Sequence, residues 1–148
     1  MTEPKTAKPE TDRARLSENE VVVLDALRKQ GGSPISAYDL VRVLDGTRVR
    51  YAVTVYRALD KLIAAGLAHR IESANAFIAC DTGCAKGQPV FVVCDDCGQT
   101  SELRADPIVK RLSKSAAEQG FAVSQMTLEL HGTCDDCRTA DDSDKGAA

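Results

Sequence analysis

The chain has 148 residues, a formal charge of −3, six cysteines and two histidines. That length holds one domain of ordinary size or two small ones and excludes a large multidomain enzyme. With 43% hydrophobic residues, 4% aromatic and no Trp, a core is within reach and must be largely aliphatic. No run of about 18 apolar residues occurs, which excludes a transmembrane helix. The opening MTEPKTAKPE lacks the apolar stretch of a secretory signal. A cytoplasmic setting is therefore expected. There, six cysteines read as metal or redox ligands rather than as a disulfide frame.

Residues 1–15 are polar and carry both prolines and charges, which predicts a disordered tail. Ser17-Glu-Asn-Glu20 is a capping box ahead of Val21, Val22, Val23, Leu24 and Leu27, and Gly31-Gly32 ends that helix. Ser36 and Asp39 repeat the cap before Leu40, Val41 and Leu44. A third helix is expected from about Ala52 to Ala65, with Val55, Leu59, Leu62 and Ile63 on one face and Gly66 at its end. Residues 67–72 and 76–80 flank Ser73-Ala-Asn75 and read as a β-hairpin. Three helices and a hairpin are the order of a winged helix-turn-helix over residues 16–80.

A second, α/β region follows over 81–138. Pro89–Cys94 and Gln99–Leu103 are strand-like. Asp106-Pro107 reads as a cap with proline at the first helical position, for a helix running to Gly120. Phe121–Leu130 alternates as a strand would, and 139–148 reads as a disordered acidic tail. The overall class is α+β. Charge divides unevenly: residues 1–79 sum to +2 and residues 80–148 to −5. Within 42–61 five basic residues (Arg42, Arg48, Arg50, Arg57, Lys61) face two acidic ones (Asp45, Asp60).

The strongest chemical signal is Cys94-Asp-Asp-Cys97 with Cys134-Asp-Asp-Cys137. Four thiolates on two short knuckles fit a tetrahedral structural Zn(II); redox CxxC pairs or unrelated buried thiols are the alternatives. His69, Cys80 and Glu102 form a second constellation. A turn centred near Ala74 places His69 opposite Ala79 or Cys80, where one cation reaches both. A fourth donor must then come from the loop 81–88, with Cys84 first and Asp81 second. A surface histidine, a core cysteine and a solvated glutamate are the bland reading of the same residues. Tyr38, Arg48, Arg50, Thr54, Tyr56 and Arg57 gather around the second and third helices as candidate contacts to DNA phosphates or base edges. His131 either ligates metal or is a hydrogen-bonded strand residue. No nucleophile elbow, phosphate loop or HExxH motif is present, so an enzyme is not expected.

Ser36-Ala-Tyr-Asp-Leu40, Thr54-Val-Tyr-Arg-Ala-Leu59, Gly66-Leu-Ala-His-Arg-Ile-Glu72, Asn75-Ala-Phe-Ile-Ala-Cys80, Cys94-x-x-Cys97-Gly98 and His131-Gly-Thr-Cys134-x-x-Cys137 together resemble the ferric uptake regulator family, and within it the zinc uptake regulator branch. The resemblance implies a winged-helix DNA-binding domain, a C-terminal dimerisation domain with a four-cysteine zinc site, and a regulatory Zn(II) at the hinge, two sites per subunit. His69, Cys80 and Glu102 match the regulatory ligands. The branch's loop histidine is missing between Cys80 and Cys94, with Cys84 as the substitute. The stretch Gly87–Val93 also lacks the histidines of the iron and peroxide branches, and thiolate-rich donors favour Zn(II). The function implied is a zinc-responsive homodimeric repressor acting on operator DNA of zinc uptake genes, with no membrane or small-molecule substrate. A thiol-based redox regulator on the same scaffold and a zinc-stapled protein-interaction module are the alternatives.

Overall fold

The computed structural model describes residues 15–80 and 88–145. The expected tail up to residue 14, the loop residues Asp81 and Cys84, and the last three residues lie outside the described residues. The described chain forms two compact units, one of residues 15–31 and 35–80, the other of 32–34 and 88–145.

The first unit is three helices and a hairpin. Helix α1 (Glu18–Arg28) starts on the expected capping box. The Ser17 hydroxyl accepts from Glu20 N–H at 3.3 Å, and the Glu20 carboxylate accepts from Ser17 N–H at 3.1 Å. Helix α2 (Ala37–Val43) is capped by the Ser36 hydroxyl, which accepts from Asp39 N–H. Helix α3 (Ala52–Ala64) follows the segment 44–51. Its Val55, Ala58, Leu59 and Leu62 recur at helical spacing and are buried against Val23, Leu24 and Leu27 of α1 and Leu40 of α2 in one cluster.

Strands β1 (Ala68–Ile71) and β2 (Ala76–Ala79) form the hairpin, or wing. Its register differs from expectation. Ile71 pairs with Ala76, so His69 faces Ile78 rather than Ala79 or Cys80. The reason is the turn: Glu72 leaves the strand for a 3-10 turn over Glu72–Ala74, and Asn75 closes it in the left-handed region with φ 46°. Arg70 fixes that turn by donating to Asn75 Oδ1 at 2.8 Å.

The second unit is a mixed sheet with two helices. Strand β3 (Val90–Cys94) is central, with β4 (Thr100–Leu103) antiparallel on one side and β5 (Leu128–Gly132) parallel on the other. Helix α4 spans Asp106–Glu118. Its cap is Ala105 rather than Asp106, with no side-chain capping bond, so proline sits in the first turn but not at its first position. The expected strand over Phe121–Leu130 is shorter: 121–127 are irregular and pairing begins at Leu128. The alternation is present, but Phe121 and Val123 are both exposed and find no sheet to lie on. Helix α5 (Asp135–Lys145) takes up most of the expected disordered tail. Asp135 and Asp136 suit the positive end of its dipole, and the Thr139 and Ser143 hydroxyls donate to carbonyls one turn back.

Glu20 sets a pH dependence. Burial pushes its carboxyl up, but the Ser17 hydroxyl and N–H and the Lys61 ammonium at 3.5 Å outweigh it and hold it below the ordinary range. A depressed carboxylate stabilises the fold above its unfolded pKa and loses that contribution as pH falls through the folded value. Glu20→Gln is therefore expected to lower urea stability at pH 7, with the gap to wild type closing as pH drops below about 4.

Candidate metal centres and nucleic-acid interface

The parallel pairing of β3 with β5 assembles the four cysteines. Cys94 is the last residue of β3 and is paired with Gly132, two residues before Cys134. The first knuckle turns back tightly: Gly98 N–H donates to the Cys94 carbonyl and Cys94 N–H to the Gln99 carbonyl, both at 2.9 Å, with Gly98 at φ 77°. That left-handed conformation is where glycine is preferred. Asp95 N–H donates to the Gly132 carbonyl at 2.9 Å, joining the knuckle to β5. Cys134 and Cys137 stand at the start of α5.

The Cys94 and Cys137 sulfurs are 3.9 Å apart, and those of Cys97 and Cys134 are 3.8 Å apart. All four lie within 4.8 Å of one another. Zn–S bonds of about 2.3 Å in a tetrahedron put the sulfurs about 3.8 Å apart, so the donor set fits that ion.

The electrostatics point the same way. The Cys134 N–H, 3.3 Å from Cys94 Sγ, and then the Cys97 N–H hold the Cys94 thiol down to about 6, against burial. The Gln99 N–H favours a Cys97 thiolate, but the Cys94 sulfur and burial outweigh it and the group is raised. Cys137 is pushed far up by the sulfurs of Cys134 and Cys97 and by burial. The Cys94 thiolate is thus favoured, while the neighbouring sulfurs oppose ionisation of Cys97 and Cys137, an opposition that a cation among them would relieve.

His131 is engaged elsewhere. Its Nδ1 lies 2.9 Å from an Asp95 oxygen and its Nε2 lies 3.2 Å from a Glu129 oxygen. These two carboxylates, Asp95 first, raise its pKa. Both ring nitrogens are thus occupied, and of the two readings open from sequence the structure has the hydrogen-bonded strand histidine.

On the wing, the shifted register still serves the expected pair. His69 faces Ile78, and Cys80 is one step further along the same face, a diagonal within side-chain reach. Cys80 continues the ladder by donating its N–H to the Leu67 carbonyl at 2.9 Å. The donor atoms of His69 and Cys80 lie within 4.8 Å of each other. Cys80 is disulfide-bonded, whereas Cys94, Cys97, Cys134 and Cys137 are free. A disulfide sulfur is no thiolate, so ligation by Cys80 requires the reduced form. Glu102 sits half-buried on β4, paired with Phe91.

The DNA candidates share one unit. Tyr38 on α2, Arg48 and Arg50 before α3, and Tyr56 and Arg57 on α3 are exposed, and Thr54 is half-exposed. Arg48 is ion-paired with Glu18 of α1. The Arg50 guanidinium lies 5.3 Å from the centre of the Tyr51 ring. Tyr51, part of the same basic segment in the sequence, is 63% exposed beside them. Sequence reasoning missed Val53, which is 61% exposed; the available signal was that it falls off the helical stripe of Val55, Ala58, Leu59 and Leu62. It also missed Asp95 as the partner of His131, which only the β3–β5 pairing reveals.

A winged helix-turn-helix unit joined in one chain to an α/β unit with a four-thiol metal site is the architecture of a metal-linked transcription regulator. Residues 12–131 match the ferric uptake regulator family, and the chain belongs to that family. It is 35% identical over 128 residues to the zinc uptake regulation protein of Escherichia coli K12, covering 83% of this chain and 72% of that one. Among solved structures it is similar to a zinc uptake regulator complexed with zinc and DNA, with TM-score 0.84, 31% identity, and 93% and 95% of the two chains covered. It is also similar to holo XcZur, with TM-score 0.77, 36% identity, and 84% and 87% covered.

Replacing Cys94 or Cys137 by serine is expected to abolish zinc retention at the four-sulfur site and to unfold the second unit. Structural zinc supplies on the order of 10–16 kcal/mol of apparent binding energy. Elemental analysis after desalting, with circular dichroism, checks both outcomes.

Proposed function

We propose that this chain is a zinc-responsive, DNA-binding transcriptional repressor of zinc uptake genes, with Zn(II) as co-repressor, working in the cytoplasm as a homodimer on double-stranded operator DNA. The observation that carries the reading is on the wing. The unit that presents exposed arginines and tyrosines on α2 and α3 also holds an imidazole and a sulfur within reach of one cation. The similarity to regulators named for zinc uptake, one of them solved with zinc and DNA, supports it.

Cys94, Cys97, Cys134 and Cys137 hold the structural ion. His69, Cys80 and Glu102, with Cys84 as the fourth donor, hold the regulatory one. Zinc bound there would couple metal occupancy to DNA binding, typically by about 1–3 kcal/mol per site. The rest is done by the chain. The N-terminal part of α3 enters the major groove, and Tyr38, Arg48, Arg50, Thr54, Tyr56 and Arg57 contact phosphates or base edges. Helix α4 buries none of its residues, and Leu103, Ile108, Leu112 and Phe121 are exposed. An isolated helix of that length is marginal in water. A second copy covering this apolar surface accounts for it and presents two α3 helices to successive half-sites.

In gel shifts, zinc is expected to tighten DNA binding and chelation to release it; equal affinity with and without zinc would sink the repressor reading. Arg57→Ala is expected to cost about 1–3 kcal/mol of specific binding while leaving the fold intact.

The disulfide at Cys80 favours a second reading, a thiol-based redox regulator on the same scaffold. There a peroxide removes two electrons from a thiol pair that includes Cys80, releasing the DNA. Titrating the zinc-loaded protein with peroxide separates the two: an unchanged thiol count below damaging doses leaves the zinc reading alone.

A further inference from the structure

We infer that Val53 reads the C5-methyl group of a thymine in the operator. The inference rests on the repressor reading and deepens it by assigning a base-reading role to a residue outside the polar DNA candidates.

Val53 is the second residue of α3 and is 61% exposed. It lies one turn before Tyr56 and Arg57 on the outer face, away from the buried stripe of Val55, Ala58, Leu59 and Leu62. Nothing in the isolated chain explains a valine there. It lies outside the core cluster. As a β-branched residue it is a poorer helix former than the alanine beside it. Its branching does give it one strongly preferred side-chain rotamer in a helix, so its methyls are held in place before any partner arrives.

The surroundings select the partner. The first turn of α3 carries no acidic residue. Arg48 and Arg50 precede it and Arg57 follows one turn later, a cationic frame suited to a polyanion. N-terminal residues of a recognition helix are the ones that meet base edges. In the major groove the apolar feature of those edges is the thymine methyl, which aliphatic side chains contact. A rigid aliphatic group framed by arginines at that position matches it.

The test uses the full-length, zinc-loaded protein. An operator is first selected by the wild-type protein from a randomised duplex pool. Each thymine of that operator is then replaced singly by deoxyuridine, which removes only the methyl. Wild type is expected to bind about three- to five-fold more weakly at one thymine position per half-site, the worth of one methyl withdrawn from water. Val53→Ala is expected to bind the thymine and deoxyuridine forms of that position equally, with discrimination elsewhere unchanged. Val53→Thr, which keeps the shape but exchanges one methyl for a hydroxyl, is expected to lose part of the preference. Circular dichroism checks that both variants fold. Wild-type indifference to deoxyuridine at every position, or full discrimination kept by Val53→Ala, overturns the inference and leaves the repressor reading standing; a valine that meets a protein partner instead gives this second pattern. Failure to select any sequence in the presence of zinc overturns the repressor reading and the inference with it.

Discussion

The second unit brings four cysteine sulfurs within 4.8 Å of one another, where each one's charge opposes its neighbours'. Backbone N–H groups hold one of them, Cys94, close to ionisation, and the crowding of the others holds Cys137 protonated. A divalent ion held there would relieve that repulsion and close a loop of 36 residues between Cys97 and Cys134. The need is acute because the unit's own apolar packing is thin. Its buried residues are concentrated in β3, while α4 buries none. Such a small core supplies little stability by itself.

The first unit is stabilised differently. Val23, Leu24, Leu27, Leu40, Val55, Leu59 and Leu62 pack in one aliphatic cluster without any metal donor. The outer face of α3 takes no part in that packing. All three tyrosines of the chain, Tyr38, Tyr51 and Tyr56, are exposed in this unit. None of them belongs to the buried cluster. His69 and Cys80 belong to the same unit, so any ion they hold is bound to the reading surface through a four-residue strand. The apolar core of the first unit and the four-sulfur cluster of the second thus lie in separate parts of one chain.

Much of this was legible in the residues. The capping box of Ser17 and Glu20 set the start of α1, because a side chain three residues on is at the right distance to return the bond. The period of Val55, Leu59 and Leu62 set the buried face of α3. The paired Cys-x-x-Cys motifs gave the four-sulfur cluster, since the spacer fixes the knuckle whatever lies between. Other elements were less legible. The alternation of Phe121–Leu130 suggested ten residues of strand where five, Leu128–Gly132, pair. Alternation records which side chains share a face, not whether a neighbouring strand extends that far. The acidic stretch after Cys137 looked unstructured because composition does not register a helix dipole starting at Asp135.

The sequence by itself determined the donor types, the two knuckles, the helical order of the reading unit and the family. All of these are local or near-local patterns, and short-range geometry converts them directly into structure. Only the tertiary structure decided that β5 lies parallel to β3 with Cys94 beside Gly132, that the wing closes with His69 facing Ile78, and that His131 is held between Asp95 and Glu129. Strand register depends on hydrogen-bond partners supplied by residues distant in the chain and on a single left-handed residue in a turn. Neither leaves a mark in composition, charge or period.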